Sequence, residues 1–360
     1  MLLPYARLGV RELSDRLERL RSVRIRYFSV LFFLLVVLTL HVSGGGIGAG
    51  ETVIKVALIT PEGSTWTNTL YKMATEVEER TNGEVKFKIY AGGISGDEMD
   101  VLRKMRVNRI HASGFSGVGL GILVPAIRIL EAPLLFHDYD EIDRVKEELY
   151  EVFEADFAKK GYVLLGFAEA GFVYFFSKTD ISGPDELKRV KMWVWKGDPV
   201  AETFLETFGI RTYPLHLTDV NTGLETGMID AFYSPLLAAI VFQWYSRIQY
   251  ILDYPMVNST GALLMKKNIF DKLAIENQEI LRTTAKKYCN ELIRLARRDN
   301  AEAMVVLKES GIKFLAPTTE QIASFEKNAL KTYEKNIPDL YSKELFNKVQ
   351  AILKKHRATN

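Results

Sequence analysis

Beyond residue 50, the spacing of apolar positions switches repeatedly between that of strands and that of helices. A strand-like run over residues 53–59 precedes a helical pattern with one apolar face, formed by Trp66, Leu70, Met73 and Val77. Ser64 is a suitable N-cap for this helix, and Asn82-Gly83 is a typical stop. Strand-like and helical segments continue to alternate through residue 115, which predicts an α/β lobe with a mainly parallel sheet.

The same alternation returns in the second half of the chain. Strands are predicted over residues 162–167, 171–177, 190–195 and 211–214, and helices from Pro184 and over 199–208. After Asn268 the pattern is mostly helical, with a long amphipathic helix over 271–310, a strand over 312–315 and a further helix from Thr318. Two α/β lobes joined by crossing strands and long helices enclose a cleft, which is where small ligands commonly bind.

The first 50 residues have a different pattern. Seven arginines and three acidic residues occupy residues 1–26, and an uncharged apolar run over 27–42 ends in a glycine-rich segment. A basic leader followed by an apolar stretch and then by small residues is typical of a secretory signal or an N-terminal anchor. We therefore expect a periplasmic protein that is exported by this segment or tethered to the inner membrane by residues 27–42, and the pattern leaves cleavage open.

Length and composition favour two lobes after this leader. The chain has 360 residues, of which 48% are hydrophobic and 26% charged, and its formal net charge is +2. Such a length rarely forms a single core. The predicted organisation is a basic cytoplasmic leader (1–26), a signal or anchor segment with a linker (27–50), lobe I (51–170 plus 259–298) and lobe II (171–258 plus 299–360). Because the charge is concentrated in the leader, no nucleic-acid partner is predicted.

The sequence contains no residue pattern typical of catalysis. Its five histidines lack metal-ligand spacing, its one cysteine, Cys289, is expected to be buried on a helix, and no nucleophile elbow or phosphate-binding loop is present. Glycines at 114, 117, 119 and 121 predict a tight loop that brings backbone N–H groups to the cleft. The acids at 138, 140 and 143 are expected to cap the next helix. We therefore predict no enzyme activity, no metal site and no cofactor.

Aromatic residues are concentrated between residues 172 and 245. Trp193 and Trp195 are two positions apart in a predicted strand, so both side chains belong to one face. Most such aromatic residues are core residues, but two tryptophans at a strand end are less usual, since each indole N–H needs a partner. Core packing remains the alternative for each of them.

An ordered set of segments resembles a known family. The segments are residues 61–64, 79–83, 92–98, 131–136, 183–188, 218–220 and 227–230. Together they resemble, over residues 53–350, the DctP-type binding proteins of tripartite ATP-independent periplasmic (TRAP) transporters. The resemblance implies a two-lobed periplasmic-binding-protein-like α/β fold with crossing strands and a long shared helix, a small-molecule ligand, and delivery to TRAP-type membrane permease subunits. Some arginine-poor relatives work beside a helical-repeat periplasmic partner, which the resemblance leaves open here.

The sequence departs from the family at the residues that bind the ligand carboxylate. Trp193 stands where the resemblance implies an arginine, and Val173 stands where it implies a second one. Because bidentate arginine contacts select carboxylates, we expect a hydrophobic, aromatic or amphipathic ligand and not a simple dicarboxylate. A cationic ligand held by cation–π contacts is a weaker alternative.

The predicted ligand-binding residues are drawn from both lobes. Those of lobe I are Glu62, Trp66, Phe115 and Ser116, and those of lobe II are Phe172, Trp193, Trp195, Phe232 and Ser234. Lobe closure around the ligand is the expected mechanism. The alternative function is ligand sensing for a separate signalling partner.

Overall fold

A ten-stranded mixed sheet lies at the centre of the protein in the computed structural model, which describes residues 51–359. Its strands are β1 Thr52–Ala57, β2 Val85–Tyr90, β3 Ala112–Ser116, β4 Tyr162–Ser177, β5 Met192–Trp195, β6 Thr212–Leu215, β7 Ala231–Pro235, β8 Tyr250–Leu252, β9 Val257–Lys266 and β10 Lys313–Leu315. The leader and the export segment predicted within residues 1–50 lie outside the described residues.

Helices surround the sheet. They are α1 Thr65–Arg80, α2 Glu98–Arg106, α3 Gly117–Leu123, α4 Tyr139–Lys159, α5 Pro184–Leu187, α6 Pro199–Thr207, α7 Val220–Thr226, α8 Leu236–Val241, α9 Lys267–Phe270, α10 Ile275–Glu309, α11 Thr319–Asn336 and α12 Lys343–Arg357. Short 3-10 segments cover Pro125–Glu131, Leu217–Asp219 and Trp244–Arg247. No helix of the described part of the chain is long and apolar enough to cross a membrane.

Two long strands, β4 and β9, connect the halves of the sheet. The main strand order is β2-β1-β3-β9-β4-β7-β5-β6, and β4 pairs antiparallel with β9 before its last residues pair with β7. The register of β4 shifts at Leu164/Gly166 and again at Glu169/Gly171, as bulges do. Gly171 has φ +107°, and a Cβ there would lie 2.5 Å from the amide of Asn300. The two strands predicted over 162–167 and 171–177 are therefore one bent strand that crosses between the halves.

The long helix α10 is shared by both halves, as the family resemblance implied. It packs against α1, β4 and α8. Asn300 on this helix donates a hydrogen bond to the Ala170 carbonyl (2.8 Å) and accepts one from the Leu237 N–H (3.0 Å). A single side chain thus connects the helix both to the bend in β4 and to α8.

Capping residues and apolar faces account for the local structure. The side chains of Ser64, Asp97 and Asp138 accept backbone N–H groups at the starts of α1, α2 and α4. Asp138 therefore caps a helix, as the sequence predicted. The apolar faces of these helices close the core, where Phe153 and Phe157 of α4 are fully buried. Burial of each such side chain stabilises the fold by roughly 1.5–3 kcal/mol.

The glycine-rich run from 114 to 121 is not the loop that the sequence predicted. Its first glycine lies in β3, and the other three lie in α3. The side-chain oxygen of Ser116 accepts the Val118 N–H and so caps this helix. Cys289 agrees with its prediction, because it is buried on α10 and burial raises the pKa of its thiol to about 12.

Candidate functional site

A cavity of about 210 Å³ lies where the crossing strands meet both halves of the sheet. The first half contributes residues of β3, α1 and α2, and the second half contributes residues of β5, β7 and α8. The bend in β4, the middle of β9 and one face of α10 complete the wall. The lining is mostly aliphatic and aromatic, with Trp66, Phe115 and Trp193 among its large side chains.

Six of the nine predicted site residues line this cavity. They are Trp66, Phe115, Ser116, Trp193, Trp195 and Ser234. Val173 lines it too, so both positions where the resemblance implies an arginine lie on the wall and carry apolar side chains. Within residues 51–359, no lysine or arginine lines this cavity.

Trp193 lies at the centre of an aromatic cluster. It is 2% exposed, it stacks on Tyr233 with ring centroids 5.1 Å apart, and its edge meets Trp244 at 5.6 Å. Its indole N–H donates to the Leu215 carbonyl (3.2 Å). Since the N–H is satisfied by the protein, the indole offers only its apolar surface to the cavity.

Trp195 shares the face of Trp193, as the strand spacing predicted, and its ring centroid lies 6.3 Å away. Its indole N–H points to the carboxylate of Asp97, 3.2 Å from Oδ2. The same carboxylate accepts the Leu217 N–H (3.0 Å) and lies 3.2 Å from Nδ1 of His216. Asp97 is the N-cap of α2 in the first half of the sheet, so this buried carboxylate joins the two sides of the cavity.

The other three predicted residues lie outside the cavity. Successive side chains of β7 point to opposite faces of the sheet, so Phe232 lies on the other face from Tyr233. It is fully buried there and stacks on Phe176 with ring centroids 4.7 Å apart. Phe172 packs against Tyr139 (4.8 Å) on the opposite side of β4 from Val173. Glu62 is exposed and accepts the hydroxyl of Tyr71 (2.8 Å).

Glu98 lines the cavity but is not among the predicted site residues. Its carboxylate accepts hydrogen bonds from the Ser116 N–H (2.7 Å), the Ser116 hydroxyl (2.9 Å) and the Gly119 N–H (2.8 Å). Burial raises the pKa of this carboxyl to about 7 against the effect of these donors, and the charge of Asp97 adds to the increase. Two backbone N–H groups of the run from 114 to 121, those of Ser116 and Gly119, are therefore directed to Glu98.

The other acidic residue on the wall, Glu169, is fully compensated. Its carboxylate accepts Nε of Arg297 (2.6 Å) and Nζ of Lys146 (3.2 Å), and its side chain is completely buried. Its backbone carbonyl accepts the indole N–H of Trp66 (3.2 Å). Glu169 thus acts as a structural anchor at the bend of β4.

A smaller cavity of about 90 Å³ shares Ser116, Val173, Trp195 and Tyr233 with the first. It is lined by Arg128, which is 3% exposed and lies 2.6 Å from carboxylate oxygens of both Glu131 and Asp198. Burial raises the pKa of Glu131 to about 7, although Arg128 acts in the opposite direction. This cluster contains one cation and two carboxylates, so the charge of Arg128 is balanced, although its Nε and Nη1 make no hydrogen bond within the described residues.

Other polar groups on the cavity wall complete its chemistry. The Tyr233 hydroxyl donates to Asp198 (2.8 Å) and accepts the Trp195 N–H (3.1 Å). Thr260 is 1% exposed, and its hydroxyl has no hydrogen-bond partner among the described residues. Groups of three or more His, Cys, Asp or Glu side chains placed to hold a metal ion do not occur within residues 51–359.

Comparison with known proteins gives a consistent result. The sequence model of the DctP family, bacterial extracellular solute-binding protein family 7, matches residues 56–339. A solute-binding protein of Verminephrobacter eiseniae (strain EF01-2) is 27% identical over 292 residues, which is 78% of this chain and 86% of that protein. The 2,3-diketo-L-gulonate-binding periplasmic protein YiaO of Escherichia coli (strain K12) is 24% identical over 241 residues, 66% of this chain and 73% of that one.

A solved structure has the same fold. It is a TRAP periplasmic solute-binding protein of Xanthobacter autotrophicus Py2 with bound β-D-galacturonate, and it is 21% identical. The match has a TM-score of 0.78 and covers 84% of this chain and 99% of that one. This similarity establishes the two-lobed α/β architecture.

Proposed function

This chain belongs to the DctP family of bacterial extracellular solute-binding proteins, and from that premise we propose that it captures a small apolar or aromatic solute, rather than a simple dicarboxylate, and delivers it to a TRAP-type membrane permease. In this proposal the protein is periplasmic and is not an enzyme. Residues 27–42 export it or tether it to the inner membrane.

The observation that carries the proposal is the wall of the larger cavity. Among the described residues it has no lysine or arginine, and Val173 and Trp193 occupy the positions where the resemblance implies arginines. A carboxylate that enters a site without charged donors loses its hydration and gains at most neutral hydrogen bonds in return, which is unfavourable. An aromatic ring, in contrast, gains contact with Trp193 and Phe115 on entering.

The galacturonate carried by the Xanthobacter protein has a carboxylate. In the present protein the buried arginine of the adjoining smaller cavity, Arg128, is already ion-paired with Glu131 and Asp198. A sugar acid would have to compete with both carboxylates for that one guanidinium. We therefore expect sugar acids and dicarboxylates to bind poorly.

The proposed mechanism is closure of two lobes about β4 and β9. We assign residues 51–170 and 259–298 to lobe I, and residues 171–258 and 299–360 to lobe II. With this assignment, the contacts of Asp97 with Trp195 and Leu217 join lobe I to lobe II. These contacts form only when the lobes approach, so they stabilise the closed form that the permease is expected to recognise.

A ligand-induced stability measurement tests the proposal. The protein, expressed as the full chain, is melted with indole as the neutral aromatic probe and with succinate or galacturonate as the carboxylate probes. Saturation at about 100 times Kd adds about 2.7 kcal/mol to the stability of the folded state. We expect indole to raise Tm, and the rise to disappear in Trp193→Ala but to persist in Phe153→Leu, which changes an equally buried aromatic residue outside the cavity. Stabilisation by succinate or galacturonate, and none by indole, would contradict the proposal.

A further inference from the structure

Glu98 is the only acidic side chain on the cavity wall, within residues 51–359, that no lysine or arginine pairs with. Glu169, the other one, is paired with Arg297 and Lys146. The three donors to Glu98 are neutral groups of Ser116 and Gly119. A carboxylate has about four lone-pair positions, so three donors leave capacity for one more.

The position of this carboxylate is fixed by the fold. A Cβ on Gly119 would lie 2.5 Å from Oε2 of Glu98, so only glycine allows the carboxylate to approach this closely. Glu98 also follows Asp97 directly, and its own N–H donates to that residue (2.5 Å). The carboxylate is therefore held in place before any ligand arrives, and little rotamer entropy is lost on binding.

The charged groups around Glu98 form ion pairs or hydrogen bonds with other residues. Asp97, which precedes it, accepts Trp195 and Leu217 and lies beside His216. Arg128, whose pKa is raised by the charges of Asp198, Glu131 and Glu98, forms ion pairs with Glu131 and Asp198, while its Nε and Nη1 make no hydrogen bond within the described residues. Since no lysine or arginine among residues 51–359 forms an ion pair with Glu98, a ligand ammonium would be its first cationic partner.

Aromatic residues form another part of the same cavity wall. Trp193, Tyr233 and Trp244 form one stacked and edge-packed group, and Trp195 continues it toward Asp97. Aromatic faces attract cations, and they do so most strongly where water is excluded. A cavity that combines aromatic faces with a carboxylate lacking an ion-pair partner is suited to bind an organic ammonium group.

We infer that Glu98 is a specificity-determining residue that accepts the polar end of the ligand, so that the solute is an aromatic or apolar amine bound as its ammonium ion. This inference rests on the proposed function and narrows it to one class of solute. Glu98 also repels an incoming carboxylate, which adds a repulsive element to the absence of a free arginine.

The test uses three indole probes of similar size: tryptamine (an ammonium), 3-ethylindole (neutral) and indole-3-propionate (a carboxylate). Affinities are measured by isothermal titration calorimetry on the protein expressed as the full chain. We expect tryptamine to bind about tenfold or more tightly than 3-ethylindole, and indole-3-propionate to bind least. Because burial raises the pKa of Glu98 to about 7, the advantage of tryptamine should increase between about pH 6 and about pH 8, a range over which the amine keeps its charge.

Variants separate the role of Glu98 from a general loss of stability. Glu98→Gln keeps the side-chain shape and should reduce the ratio of tryptamine to 3-ethylindole affinity to near one. Glu141→Gln is the matched control: it neutralises another buried carboxylate, whose partner Arg357 lies away from the cavity, and should leave the ratio unchanged. If Glu98→Gln does not fold, the pH dependence in the wild-type protein decides.

Each outcome decides for or against the inference. Equal binding of tryptamine and 3-ethylindole, a ratio that Glu98→Gln does not change, or no binding of tryptamine would overturn it. Tight binding of 3-ethylindole that Trp193→Ala abolishes, without any advantage for tryptamine, would leave the proposed function standing and remove only the role of Glu98. Preferential binding of indole-3-propionate would overturn both.

Discussion

The buried ion pair between Arg128 and Asp198 connects the two sides of the cavity, and its contribution to the stability of the protein can be measured directly. Arg128 lies in the 3-10 segment Pro125–Glu131, and Asp198 caps α6 by accepting the Ala201 N–H. Nη2 of Arg128 lies 2.6 Å from Asp198, and Nη1 lies 2.6 Å from Glu131. Arg128→Met keeps much of the side-chain volume and removes the charge that the two carboxylates share.

The expected loss is large because both carboxylates stay buried. Removing one partner of a buried ion pair typically costs about 3–5 kcal/mol, since the remaining charge is left without compensation. The loss should depend on pH. Burial already raises the pKa of Glu131 to about 7 while Arg128 opposes the increase, so removal of Arg128 raises that pKa further. Protonation of Glu131 then relieves part of the cost, and the loss should be greater at pH 8 than at pH 6.

Equilibrium unfolding in urea, followed by tryptophan fluorescence, measures this loss. Arg103→Met is the matched control, because Arg103 pairs with Asp100 on the surface and its side chain is 63% exposed. Exposed pairs contribute about 0–1 kcal/mol. A loss below about 1 kcal/mol for Arg128→Met, or an equal loss at both pH values, would refute the electrostatic reasoning.

Three further predictions concern single sites. Thr260→Val removes a buried hydroxyl without a partner, so stability measured by urea unfolding should stay unchanged or rise by about 1 kcal/mol. The same change should weaken ligand binding measured by calorimetry, and an unchanged affinity would exclude a ligand contact of this hydroxyl. Gly119→Ala should destabilise the protein by about 1–3 kcal/mol, since its Cβ would lie 2.5 Å from Glu98, and a normal Tm would contradict the close approach. In the wild-type protein, Glu98 binds its proton more tightly when folded than when unfolded, so its contribution to stability falls as pH rises from about 4.5 to about 7. Unfolding free energies at several pH values should therefore vary less in Glu98→Gln than in wild type, and identical slopes would argue against the raised pKa.

The sequence predicted most helices and strands because the apolar periodicity of each segment and the capping residues at its ends indicate the same element. Ser64 and the face of α1 are examples. The strand β9 was not predicted, because nearly all its residues are buried and its sequence shows no polar alternation. The continuity of β4 was also missed, since bulges near Gly166 and Gly171 interrupt its pattern. Local sequence does not show that a bulge bends a strand instead of ending it.

The site was less predictable than the fold. The shared face of Trp193 and Trp195 follows from strand geometry. Glu98 lies in the first turn of a helix, where an exposed acid is ordinary, and only tertiary contacts with Ser116 and Gly119 bury it. Phe232 and Tyr233 are adjacent aromatic residues, and which of them faces the cavity depends on the register of β7. Such information is long-range and has no local signal.

The most direct test of the central claim is the identity of what the protein carries. The protein is expressed as the full chain, purified gently, examined by native mass spectrometry and then denatured to release any bound molecule. We predict that the wild-type protein carries an apolar or aromatic molecule and no dicarboxylate, and that this molecule is absent from Trp193→Ala. Release of a dicarboxylate or a sugar acid from the wild-type protein would contradict the account of the cavity.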